Sequence, residues 1–305
     1  MPSSVSVRVP ASTANLGPGF DCLAAALDLW NETYVEIGGN QTVVSIEGEG
    51  AGQLPEDENN LLVQSAHAFA RQMGQRLPPG LRIRCKNAIP LSSGLGSSAA
   101  AVLAGAMAAN ALLDYPGSST DLLTCATQIE GHADNAAASL MGGLVAVAQD
   151  QGQVIVRRWN LPALQLVVIT PDFELSTREA RAALPDQYSR ADAVFNISRT
   201  VMVVEALRSA DLDLLSRMMD DRLHQPYRLP LIPGAEQAFR AARSVGSTAV
   251  ALSGAGPSLL AVADNPQQAE DIAAAMQSAF AQAGLTTRIF TPSVSARGAE
   301  VNDGR

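Results

Sequence analysis

The 305-residue sequence predicts an α+β fold in two lobes. Three observations carry that expectation. Strand-like and helix-like patterns alternate, but without the regular strand–helix–strand period of a doubly wound parallel sheet. No internal repeat interrupts them. Past Pro171 the texture shifts from short alternating segments to longer amphipathic ones. A boundary near 158–172 follows, dividing residues 1–160 from 161–297 and leaving 298–305 as a loose tail.

Residues 5–9 (Val-Ser-Val-Arg-Val) alternate as a strand and lead into a turn-rich stretch, 10–21, containing Gly17, Pro18 and Gly19. Residues 27–37 read as a second strand. Residues 43–46 are its expected hairpin partner, because Gly38, Gly39 and Asn40 form a turn signal between them. Asn60 should cap a helix over 61–73, where Leu62, Ala66, Phe69 and Ala70 recur at helical spacing and Gly74 stops it. Residues 81–85 alternate again. An alanine-rich helix over 99–113 follows a Ser/Gly loop, and a helix over 121–130 should be capped by Ser119 or Thr120. Strands are expected at 144–148, 154–158 and 164–169. In the second half, helices are expected at 176–184, 194–209, 212–224, 234–245 and 266–283, and strands at 249–252, 259–263 and 286–290.

Composition removes several classes of function. Twenty-one Lys+Arg against 30 Asp+Glu give a net charge of −9 and a pI near 4.8. Such a field repels nucleic acid and anionic membranes, and no basic run offsets it. Any anionic ligand must therefore be held by a local site. The 47% hydrophobic and 17% charged content excludes a disordered chain. Cys22, Cys85 and Cys125 are odd in number and far apart, so neither a disulfide framework nor a zinc site is expected. Residues 87–113 carry no charge, but Pro90, four serines and three glycines make them a poor spanning helix. The expectation is a reduced, cytoplasmic protein.

The strongest chemical signal is the run Pro90, Leu91, Ser92, Ser93, Gly94, Leu95, Gly96, Ser97, Ser98, Ala99 and Ala100, between a strand and the alanine-rich helix. Gly94 and Gly96 let the backbone approach a ligand closely, and the helix start offers free N–H groups and a positive dipole end. Four hydroxyls can donate to phosphate oxygens or bind Mg²⁺. A Walker loop is ruled out because no Lys follows the glycine. A dinucleotide fingerprint is formally met by Gly94, Gly96 and Ala99, with Asp114 twenty residues on, but the preceding strand carries Arg82, Arg84 and Lys86 rather than a buried apolar run. A loop that merely caps its helix is the remaining alternative.

Residues 90–100 resemble the central motif of the GHMP kinases, a family of small-molecule kinases. Residues 9–21 (Val-Pro-Ala-Ser-Thr-Ala-Asn-Leu-Gly-Pro-Gly-Phe-Asp) are similar to the family's N-terminal motif, and 251–258 (Ala-Leu-Ser-Gly-Ala-Gly-Pro-Ser) to its C-terminal glycine loop. The resemblance implies a ribosomal-protein-S5-like N-terminal lobe that binds nucleotide and a ferredoxin-like C-terminal lobe. It also implies ATP and Mg²⁺ as cofactors and an alcohol as acceptor.

The N-terminal motif resembles the homoserine kinase branch, which implies L-homoserine as substrate, MgATP as donor and a step toward threonine. Asp21, with Asn15 beside it, would receive the substrate ammonium; Thr177, Arg181 and Arg228 would face the substrate, the two arginines gripping its carboxylate. Ser98 and Glu130 would hold Mg²⁺. His132, Asp134 and Asn135 would face the reacting hydroxyl; Asn135 matches a position where mevalonate kinase-like members carry an aspartate, and an amide takes no proton at neutral pH. Lys86, Asn60, Gly254 and Gly256 are expected near the nucleotide. Family habit suggests a homodimer. Another small alcohol (threonine, shikimate or mevalonate) and a silent nucleotide-binding relative stay open as alternatives.

Overall fold

A computed structural model describes residues 2–247 and 249–303. The first lobe runs β1 (Ser4–Ala14), β2 (Leu23–Ile37), β3 (Val43–Gly48), α1 (Leu61–Gln72), β4 (Leu81–Asn87), α2 (Ser97–Leu112), α3 (Ser119–Glu130), α4 (Asp134–Met141), β5 (Leu144–Asp150) and β6 (Gln153–Trp159). The second follows with β7 (Gln165–Pro171), α5 (Thr177–Ala182), α6 (Arg190–Ser209), α7 (Leu212–Met218), α8 (Gln225–Arg228), α9 (Ala235–Ser244), β8 (Ala249–Leu252), β9 (Leu259–Ala263), α10 (Pro266–Gln282) and β10 (Thr287–Phe290). A last strand, β11 (Glu300–Asn302), returns to the first lobe.

Among the described residues the first sheet has the order β11-β1-β2-β4-β3, with β5 and β6 attached through the first residues of β2. Helix α2 is buried almost throughout; its alanines let it lie flat between β1 and α1 in the core. The second sheet, β10-β7-β9-β8, has the strand order of a ferredoxin-like βαββαβ unit. Ile272, Met276 and Phe280 of α10 pack against it with Ala235, Ala238 and Ala242 of α9. Helices α5–α8 are inserted between β7 and α9 and reach back to the first lobe.

Several expectations need correction. The 43–46 strand is no hairpin partner of β2: β3 pairs parallel with β4, and β4 is interposed between them. The turn at 38–40 reverses the chain, but α1 then carries it across and β4 takes the place beside β2. Strand β1 continues past Pro10 to Ala14, accommodating the proline at a bulge between Pro10 and Ala11. Helix α3 is capped by Ser118, because only a residue three before Asp121 can close a capping box with it. The helix expected over 212–224 ends at Met218, where Asp221 draws the N–H groups of Leu223, His224 and Gln225 to its carboxylate instead. Helix α4 was not anticipated.

The tail expected to be loose over 298–305 is not so in its described part. Residues 300–302 cover the open edge of β1, with Val301 opposite Val7, and the Asp303 carboxylate accepts from the Tyr115 hydroxyl at 2.8 Å. Gly304 and Arg305 lie outside the described residues.

Candidate active site

The Ser/Gly loop before α2 is clamped from three sides. Asn31 Oδ1 accepts the N–H groups of Ala88 and Ile89 at 2.8 and 3.0 Å. Ser12 N–H donates to the Leu95 carbonyl, and Ser258 N–H to that of Ser93. Ser253 Oγ donates to the Gly94 carbonyl at 2.8 Å. Gly94 and Gly96 hold φ of 81° and 73°, and a β-carbon on either would overlap the Ser253 carbonyl or Ser12 Oγ, respectively. Only glycine meets both demands. Gly96 is also the N-cap of α2 and offers it no side-chain bond, so the 16-residue helix opens with free amides and its positive dipole end toward a cleft.

That cleft encloses about 240 Å³ between the lobes. Its first wall is Ser92, Ser93, Gly94, Gly96, Ser97, Ser98 and Ala99, and Gly254 and Gly256 face them from the second lobe. Glu130, His132, Asp134 and Asn135 form another side; Asn15, Asp21, Thr177, Arg181 and Arg228 close the far end. A second cavity of about 320 Å³ shares Ser92, Ser97 and Ser98 with it and contains Asn60, Leu91 and Ala100. Three expected residues line neither. Lys86 lies on the opposite face of β4 from Cys85 and Asn87, which do reach the second cavity, as strand alternation requires. Pro90 and Leu95 point inward: the Pro90 carbonyl accepts from Ser93 Oγ, and Leu95 is core.

Ser98 Oγ donates to Glu130 Oε1 at 2.6 Å, joining the start of α2 to the end of α3. Asp134, 2% exposed, accepts from His132 Nδ1 and from Asn135 N–H on one oxygen, both at 2.8 Å. Burial pulls the His132 pKa down, but the Asp134 hydrogen bond and charge, helped by Glu130, outweigh it and leave the imidazole above its ordinary value. Asn135 Nδ2 donates to Ser12 Oγ at 3.0 Å, and Ser139 Oγ holds the same hydroxyl.

At the far end Arg181 grips Asp21 through both guanidinium NH₂ groups, at 2.8 and 2.9 Å. Asp21 sits at φ 55° and donates its N–H to Asn15 Oδ1, while Asn15 Nδ2 reaches the Gly254 carbonyl at 2.7 Å. Thr177 opens α5, one turn before Arg181. Arg228 is 1% exposed and bonds to the Ala180 and Gly254 carbonyls. Burial first, then the charge of Arg181, lowers its pKa to about 10, so it stays cationic at neutral pH.

The residues beneath Arg228 were missed. Asp221 accepts from Asn196 Nδ2 as well as the three backbone amides, and Asn196 Nδ2 also reaches the Pro18 carbonyl. His224, given no role from sequence, stacks on Phe20 at 5.2 Å and bonds to the Gly17 carbonyl through Nε2. This network ties the N-terminal loop to α6 and α8. The available signal is the polar run Asp221-Arg-Leu-His-Gln-Pro-Tyr-Arg228, of which only Arg228 is expected in the site from sequence.

The chain belongs to the GHMP kinase family: its models for the GHMP kinases N terminal domain and GHMP kinases C terminal match residues 60–143 and 203–282. The homoserine kinase of Moorella thermoacetica is 47% identical over 280 residues, 92% of this chain and 93% of the relative. That of Microchaete diplosiphon is 41% identical over 310 residues, 99% of each. The crystal structure of homoserine kinase from Cytophaga hutchinsonii superposes with a TM-score of 0.87 at 33% identity, covering 99% of this chain and 98% of that one. Within the family, these relatives place the chain among the homoserine kinases.

Proposed function

We propose that the protein transfers the terminal phosphoryl group of ATP to the side-chain hydroxyl of L-homoserine, giving O-phospho-L-homoserine and ADP. One observation carries the reading: a single cleft holds an uncapped helix start at one end and a carboxylate with two arginines at the other. The first suits a triphosphate, and the second suits both charges of an amino acid. The second cavity, continuous through Ser92, Ser97 and Ser98, takes the base. Mevalonate has no ammonium for Asp21, which favours an amino-acid alcohol.

Ser98 Oγ and Glu130 Oε1 form an adjacent pair of hard oxygen donors that fits Mg²⁺. When bound there, Mg²⁺ supplies charge neutralisation to the phosphates. The chain itself orients the hydroxyl. Asn135 cannot take its proton, and one oxygen of Asp134 already accepts two hydrogen bonds. No dedicated base operates: the oxygen–phosphorus bond forms as the bond to ADP breaks, and the proton leaves late to phosphate or water. The loose transition state of phosphoryl transfer tolerates this. Loss of turnover in Asp134→Asn, with homoserine and Mg²⁺ affinity intact, would make Asp134 the base.

The deciding experiment is ADP release with homoserine, threonine, serine, shikimate and mevalonate as acceptors. Homoserine should be preferred. A preference for shikimate or mevalonate, or no release with any of them, would overturn the reading.

A further inference from the structure

The groups suited to opposite ends of the substrate, Asp21 and Arg181, are bonded to each other. Resting on the function proposed above, we infer that this ion pair is exchanged on binding and makes the far end of the cleft selective for zwitterions. Both side chains are 36% exposed and face the cleft, so a ligand can reach them. Arg228 lies beside them with hydrogen bonds to neutral carbonyls and the His224 ring. Both guanidinium groups lie over the Phe20 ring, at 5.7 Å for Arg181 and 5.0 Å for Arg228. That shared platform lets Arg181 slide toward Arg228 and meet one carboxylate with it.

With both arginines on the carboxylate, only a zwitterion leaves every charge partnered; a monoanion that leaves the Asp21–Arg181 pair intact meets Arg228 alone. A zwitterion gives its ammonium to Asp21 and its carboxylate to Arg181 and Arg228, so every charge keeps a partner. A monoanion that draws Arg181 away strands Asp21. A monocation that draws Asp21 away strands Arg181. Each stranded charge sits in a narrow cleft where desolvation opposes it. Recognition of the two ends is therefore coupled: deleting one substrate charge removes more than its own contact. Asn15 Oδ1 anchors the Asp21 backbone N–H and Asn15 Nδ2 is tied to the Gly254 carbonyl, so the backbone that carries Asp21 is held while the longer Arg181 side chain has the reach to move.

The test is calorimetric binding of L-homoserine, 4-hydroxybutanoate (no ammonium) and 3-aminopropan-1-ol (no carboxylate) to the full chain. Wild type should bind homoserine and neither analogue comparably. Asp21→Asn frees Arg181 without stranding a carboxylate, and Asn tolerates the left-handed backbone at this position. It should bind 4-hydroxybutanoate about tenfold or more tighter than wild type does, while losing homoserine. Arg181→Gln should likewise gain 3-aminopropan-1-ol, which tests the coupling from the other side if Asp21→Asn does not fold. Equal or weaker analogue binding in these variants would refute the exchange. Absence of ADP release from wild type with homoserine would refute the proposed function alone, because the binding selectivities are read separately.

Discussion

Gly96→Ala probes the join between loop geometry and the wall proposed to orient the hydroxyl. Its backbone holds φ 73°, where an L side chain costs about 1–2 kcal/mol. The added β-carbon would overlap Ser12 Oγ and lie 3.2 Å from Asn135 Nδ2. Ser12 must then move, and it holds both Asn135 and Ser139; each buried hydrogen bond is worth about 1 kcal/mol. The expected loss is about 3–4 kcal/mol in urea unfolding. Ser12→Ala alone should lose about 2 kcal/mol, through the same two bonds. The double variant should be no less stable than Gly96→Ala, a coupling of about 2 kcal/mol, because the hydroxyl can be lost only once. Both single variants should lower kcat more than they raise the homoserine KM, since Asp21 and Arg228 are untouched. Simple additivity, or a Gly96→Ala protein within about 0.5 kcal/mol of wild type, would refute the geometry.

Glu130→Gln should leave stability within about 0.5 kcal/mol, lower kcat by about 100-fold and raise the Mg²⁺ needed for half-maximal rate; an unchanged Mg²⁺ titration would contradict the assignment. Arg228→Lys should raise the homoserine KM by about tenfold with kcat largely retained. Arg228→Ala should do so with an added loss of about 3 kcal/mol, because a buried side chain and its carbonyl partners are disrupted. The His132 pKa is raised, so the His132–Asp134 pair stabilises the fold fully below about pH 6.5 and less as pH climbs through the higher folded value. Asp134→Asn should abolish that pH dependence in stability curves recorded from about pH 5.5 to about pH 9.

What the sequence disclosed about the fold was local. Asn60 as a helix cap is written in its place just before the helical spacing of Leu62, Ala66 and Phe69, and Asn60 Oδ1 does accept from Leu62 N–H at 3.0 Å. The partner of β3 was not written there. A Gly-Gly-Asn turn states that the chain reverses, and says nothing of a strand arriving forty residues later to take the vacant edge. The covering of β1 by residues 300–302 failed for the same reason: three residues of strand have no periodicity to detect.

The site divides along a different line. Where function constrains the backbone, residue type is diagnostic: Gly94 and Gly96 stand out because nothing else fits against Ser253 and Ser12. Where it constrains charge, residue type misleads. Asp221 and Arg228 look like surface residues in a polar stretch, yet Asp221 is the buried node that ends α7 and Arg228 is 1% exposed. Lys86 is the reverse case, a cation beside the Ser/Gly loop whose strand alternation points it away. On the proposed reading an acidic chain holds an anion because the fold gathers positive groups locally: amides at a helix start, which carry no formal charge, and two guanidinium groups over one ring, a small part of the total.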